Sequence, residues 1–324
     1  MRPLFSNLCQ LLPCRLTARN LNRQQYQPGD IPSSYDNAGF VNADGEDAEY
    51  TQYANIVSAS AYLLVLTGNT TYRTYFDNNY TYTHLFDWDG VSYNYKDTQV
   101  QDALLYYSLS PLATASVVTA IKDKYLSGMA NQYNDFYPLK AYNDSTDAYR
   151  AFLDEHIWGS NAYKSNAGSM FSNLWVYDID AVNEQKYRNA ASGYMHYING
   201  VNPQSLAYLS NMGNHGAENS VPEFYHMWFA DGTDFDNVNT SLYGPAPGFL
   251  VGGPNQDYSS PGSPIEPPEN QPQQKSYKSW NTPADNSWEV TENQDLYQSA
   301  YVKLISKFVS GYHIYQFCKS GGNP

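Results

Sequence analysis

"DAEYTQYANIVSASAYLLVLTG", residues 47–68, decides the fold class. Tyr50, Tyr53, Ala54, Val57, Ala61, Leu64 and Val65 recur at spacings of three and four. That period gathers them on one side of an α-helix and would scatter them over both faces of a strand. Gly68 follows where a left-handed C-terminal cap belongs. Similar patterns recur near residues 98–107, 111–126, 146–153, 166–177, 185–198 and 296–313. Alternating strand patterns are scarce, so the spacing predicts an all-α domain of paired helices. Between 200 and 290 the period fails. "GPAPGFLVGGPNQDYSSPGSPIEPPENQPQQ", residues 244–274, is dense in Gly and Pro. The expectation there is ordered loops laid over one end of a helical scaffold, where functional groups commonly sit.

At 324 residues the chain is long enough for a substantial core. Its formal net charge is −14, with 18 Lys and Arg against 32 Asp and Glu. A nucleic-acid partner needs a basic face, and an anionic membrane surface needs basic clusters; neither is expected. A neutral ligand suits an acidic protein better. Tyrosine numbers 32. Its flat apolar face and polar tip suit both a wet core and the C–H face of a sugar ring, and composition alone favours the core. Cys9, Cys14 and Cys318 form no disulfide framework. No apolar run approaches the roughly 18 residues of a membrane span. The first 29 residues carry Arg2, Arg15, Arg19 and Arg23 and no acid. They resemble a weak signal peptide without its apolar stretch or cleavage site, equally fit a short leader or a non-native head, and are expected to lie outside the fold.

Three stretches stand out. In "HIWGSNAYKSNAGSMF", residues 156–171, Trp158 precedes a Gly turn and an amide. A platform tryptophan beside amides suits a sugar, but on this stretch alone a packed tryptophan at a helix-entry turn is the better reading. "YMHYINGVNPQSLAYLSNMGNHGAENSVPEFYHMWF", residues 194–229, ends a helix at Gly200, Asn202 and Pro203, then carries His215 and His226. Those histidines are too far apart and too poorly accompanied for zinc; His226, next to Trp228 and Phe229, fits the lining of a pocket. "NSWEVTENQDLYQSAY", residues 286–301, holds Glu289 and Glu292. Thr291 and Gln294 fit a capping box ahead of the run 296–309. On spacing alone Glu292 is an acid in a first helical turn, where the helix dipole favours its charged form.

Taken in order, these stretches resemble glycoside hydrolase family 9, the cellulase family built on a barrel of six helix pairs. "DAEYTQYANIVSASAYLLVLTGNTTY" is similar to its mid-barrel helix ending in Thr-Gly. "WGSN" (158–161), "YINGVNP" (197–203) and "GFLVGGPN" (248–255) are similar to its turns. Trp288, Glu292, Tyr297, Gln298 and Ser299 match its closing signature. "ENSVPEFYHMWFADG" and "YGPAPGFL", which contains Tyr243, look like a bacterial subgroup. The match covers roughly residues 45–312.

The resemblance implies a partial (α/α)6-barrel over residues 30–324, acting outside the cell on cellulose or a related β-1,4-glucan. It implies inversion with Glu292 as general acid, and a cleft lined by Trp158, His226, Trp228, Tyr243 and Tyr297. Trp228 stands where the family has an arginine, and Ser279 where it has an aspartate. No cofactor is expected; calcium occurs in the family, but no ligand cluster for it stands out here. The larger departure is the catalytic base. The family's Asp-Ala-Gly-Asp tetrad does not occur, and Asp30, Asp36, Asp44 and Asp47 sit in no such motif. The match begins midway through the barrel, so the expectation is a chain lacking the first helices. An endoglucanase-type hydrolase is the leading reading. A truncated or decayed homologue that binds glucan without cutting it is the alternative, and the apolar faces of an open half-barrel favour self-association.

Overall fold

The structure, a computed structural model, describes residues 49–130, 147–226 and 231–309. The three cysteines, the arginine-rich head, the four N-terminal aspartates and Trp228 lie outside the described residues. The described chain is mostly helical: α1 (Glu49–Thr67), α2 (Thr70–Asn79), α3 (His84–Asp87), α4 (Tyr95–Tyr107), α5 (Ala115–Ala130), α6 (Ser160–Val176), α7 (Glu184–Ile198), α8 (Trp288–Thr291) and α9 (Asp295–Ile305). Strands β1 (Ala207–Ser210) and β2 (Ser220–Val221) make one short parallel pair.

α1 buries Ala54, Val57, Ala61 and Leu64 against α2 and α4. It ends as its sequence predicts: Gly68 has φ +66° and its N–H donates to the Leu64 carbonyl at 2.9 Å. α6 is the hub, packed against α4, α7 and α9. Every residue of α6 is buried except Tyr163, although the helix is rich in Ser, Asn and Gly. Its polar side chains are paired inward. Ser160 Oγ donates to the Pro254 carbonyl at 2.7 Å, Asn161 Nδ2 to the Val251 carbonyl at 3.0 Å, and Asn166 Nδ2 to the Tyr93 carbonyl at 3.0 Å. Buried amides and hydroxyls are tolerated because they are bonded.

Two sequence expectations fail. Residues 147–153 form turns, not a helix. The Asp147 carboxylate accepts the N–H groups of Tyr149 (3.1 Å) and Ala151 (3.0 Å), and Arg150 takes φ +54°; a local side-chain-to-backbone turn outcompetes the helix there. The capping box at Thr291 and Gln294 does not form either. Thr291 is the last residue of α8, and its hydroxyl donates towards the carbonyls of Trp280 and Ser287, both at 3.0 Å. Gln294 occupies the N-cap of α9 without a side-chain cap bond.

Candidate active site

The loops of residues 248–258 form a strap along α8 and the link to α9. Gly252 N–H donates to the Glu292 carbonyl at 2.9 Å and Gly253 N–H to the Val290 carbonyl at 2.9 Å. Asn255 Nδ2 reaches the Glu289 carbonyl at 3.3 Å. The other side of the strap is tied to α6: Asn161 N–H donates to the Gly252 carbonyl at 3.0 Å. Gly253 is required at the crossing. Its φ is +96°, and an added Cβ would lie 2.5 Å from Asn161 Cγ.

Glu292 caps the C-terminal end of α8 in extended conformation (φ −59°, ψ 140°). This corrects the sequence expectation of an acid in a first helical turn. The side chain is half-buried, and Gln294 Nε2 donates to Glu292 Oε2 at 3.2 Å. Tyr297, one turn into α9, is buried against the Gly159 turn; an added Cβ on Gly159 would stand 2.9 Å from the Tyr297 hydroxyl oxygen. Burial raises the Tyr297 phenol well above its ordinary pKa, the charge of Glu292 adds to the rise, and a hydrogen bond from the Trp158 side chain opposes it. Trp158 is 43% exposed, with its ring open to solvent.

An open cavity of about 560 Å³ lies here, lined by Ile157, Trp158, Tyr163, Asn255, Asp257, Glu289, Gln294 and Tyr297. Burial raises the Glu289 carboxyl above its ordinary range. Two rings that the sequence singles out, Trp158 and Tyr297, thus share one wall; Glu292 is not itself a lining residue and is joined to the cavity by its bond with Gln294. His226 is half-buried beside this region: the N–H of its neighbour Tyr225 donates to Thr291 Oγ1 at 3.2 Å, and the Tyr225 ring meets Trp288 edge-on at 5.8 Å. Tyr243 does not line the cavity. It is 63% exposed and stacks on Phe235 at 5.2 Å. Tyr163, Asn255 and Asp257 escape sequence reasoning as site residues, although Asn255 closes a quoted motif. Residue type alone does not mark Tyr163, because α6 also carries Phe171 and Trp175; what separates it is that it is the one residue of α6 that is not buried.

The sequence model of Glycosyl hydrolase family 9 matches residues 18–305. The chain belongs to this family. Three solved structures are similar to it. AaCel9A in complex with cellobiose-like isofagomine shares 16% identity at a TM-score of 0.60, covering 88% of this chain and 47% of that one. A single mutant of a thermostable endoglucanase from Alicyclobacillus acidocaldarius shares 17% at 0.59, covering 83% and 46%. GH family 9 endoglucanase J30 shares 19% at 0.58, covering 85% and 45%. The fold of this family 9 chain is therefore all-α and of the (α/α)6-barrel type, and the chain spans about half the length of the structures it matches. No curated protein matches it in sequence. Among the described residues no three His, Cys, Asp or Glu side chains group as metal ligands. No helix among them is long and apolar enough to cross a membrane.

Proposed function

We propose that the chain is an endoglucanase-type glycoside hydrolase that cuts β-1,4-glucosidic bonds of cellulose or a related β-glucan with inversion. One observation carries the reading: Glu292 is bonded to Gln294 on the wall of an open cavity that also presents Trp158, Tyr163 and Tyr297. Aromatic faces bind the C–H faces of sugar rings. Glu292 protonates the departing glycosidic oxygen, and water attacks the anomeric carbon from the other side. Inversion needs a second carboxylate about 6.5–9.5 Å from the first, so that this water fits between. His226, Trp228 and Tyr243 are further substrate contacts, as the resemblance implies. A location outside the cell, where polymeric glucan is met, accords with this reading.

The test measures reducing ends released from soluble cellulose by the wild type and by Glu292→Gln. The expected result is activity in the wild type and a loss of about 10²–10⁴ in the variant. Equal rates sink the acid assignment. Binding without release of ends by the wild type favours the non-hydrolysing alternative, which the absent tetrad motivates.

A further inference from the structure

The backbone places Glu292 and Gln294 as a pair. Glu292 (φ −59°, ψ 140°) and Gln294 (φ −142°, ψ 155°) are both extended, and residues two apart in an extended chain face the same side. The strap holds the segment in that form. Asn293, between them, makes an antiparallel bridge to Val251, and the Glu292 carbonyl accepts the Gly252 N–H at 2.9 Å. Gln294 occupies the N-cap of α9, a position whose side chain commonly accepts a helix N–H, yet it makes no cap bond. Its Nε2 donates instead to Glu292 Oε2 at 3.2 Å, and among the described residues no other group donates to that carboxylate. Gln294 also lines the open cavity, which Glu292 itself does not. The amide is therefore the link between the acid and the space a sugar would fill.

We propose that Gln294 is the positioning residue of Glu292: its amide selects the carboxyl oxygen that carries the proton and holds that group beside the cavity. The proposal rests on the reading of Glu292 as the acid. An amide N–H needs an acceptor, so in the neutral acid Oε2 is the carbonyl oxygen and the proton lies on Oε1. As that proton passes to the glycosidic oxygen, the Oε1–H bond breaks and its electron pair stays on the carboxylate. The bond from Gln294 Nε2 then becomes charge-assisted, roughly twice as strong as a neutral one. An interaction that strengthens during proton transfer accelerates that step, whereas one of constant strength does not.

The experiment uses the full chain, soluble cellulose, and a dinitrophenyl cellobioside whose leaving group needs no proton. Two variants are compared with the wild type and with Glu292→Gln. Gln294→Met keeps the length and removes the donor. Gln294→Asn keeps an amide but shortens its reach, and asparagine is a strong N-cap, so its melting temperature is expected at or above the wild-type value. In both, kcat on cellulose is expected to fall about 10–100-fold further than kcat on the cellobioside, the range for a hydrogen bond to a charged group, with KM for cellulose little changed. Wild-type kcat on cellulose in both variants, beside a loss in Glu292→Gln, overturns the proposal and leaves the acid standing. Equal falls on the two substrates overturn it in favour of a displaced helix start. A rise in KM with kcat unchanged overturns it in favour of a simple sugar contact. A wild type that releases no ends, or a Glu292→Gln variant with wild-type rate, overturns the acid reading and this proposal with it.

Discussion

The Glu292 carbonyl accepts the Gly252 N–H at 2.9 Å, and the Gly252 carbonyl accepts the Asn161 N–H at 3.0 Å. One glycine thus couples the proposed acid to the N-terminus of the buried hub helix α6. The turn before that helix carries Trp158, so acid and aromatic wall are set by the same crossing. Positions of this kind must hold within a fraction of an ångström for catalysis.

Gly253→Ala tests that crossing. The substitution forces a side chain into a left-handed conformation and against Asn161. The strain costs about 1–3 kcal/mol before any clash is counted. We expect a melting temperature lower by several degrees and a disproportionate fall in glucan hydrolysis. A variant with wild-type melting and activity contradicts the assigned geometry.

Trp158→Ala separates binding from stability. The ring is 43% exposed, so its removal leaves a small cavity penalty. Aromatic pairs gain about 0.5–1.5 kcal/mol beyond burial, and a sugar stacked on this face is taken to gain a similar amount. The expected result is a several-fold weaker affinity for cello-oligosaccharides by calorimetry, with melting nearly unchanged.

The interior predicts a pH dependence. His156 is fully buried, and burial lowers its pKa to about 3, with Lys164 adding to the drop and a hydrogen bond to Gln273 opposing it. An unfolded histidine titrates near 6.5. The unfolded chain therefore takes the proton first, and stability is lost as pH falls from about 6.5 towards 3, by up to about 1.4 kcal/mol per pH unit. Lys164, lowered to about 7 chiefly by burial and partly restored by Asp147, acts in the same direction between about 10.5 and 7. Urea midpoints between pH 4 and 6.5 check the histidine part: the slope with pH is expected to flatten in His156→Gln.

Asp102 joins three helices. It accepts Asn173 Nδ2 from α6 at 2.9 Å and pairs with Lys303 of α9, while itself lying on α4. Both members of the ion pair are largely shielded, so it is stronger than a surface pair. Asp102→Asn and Lys303→Met are each expected to destabilise, and the double variant to lose less than the sum by about 1 kcal/mol. Additive losses in denaturant titrations contradict the coupling.

Much of this molecule is legible in its sequence, for physical reasons that differ by element. α1 is plain because apolar residues repeat with the helical period. α2, "TTYRTYFDNN", hides because its buried face is Tyr72, Phe76 and Asn79, and tyrosine and asparagine read as surface. α6 begins at Ser160, six residues before its apolar pattern does, because Gly159 rather than a capping side chain precedes it. Glu292, Trp158 and Tyr297 are legible through motif order. Asp257 and Tyr163 are not: their place on the cavity wall depends on a strap crossing a helix some 90 residues away, and no local pattern encodes that meeting.

The central claim is that Glu292 donates the proton. It is tested most directly by comparing Glu292→Gln with the wild type on soluble cellulose and on dinitrophenyl cellobioside. The account predicts a loss of about 10²–10⁴ on the first substrate, where the leaving oxygen needs a proton, and a rate close to wild type on the second, where it does not. Equal losses on both substrates, or none on cellulose, would contradict it.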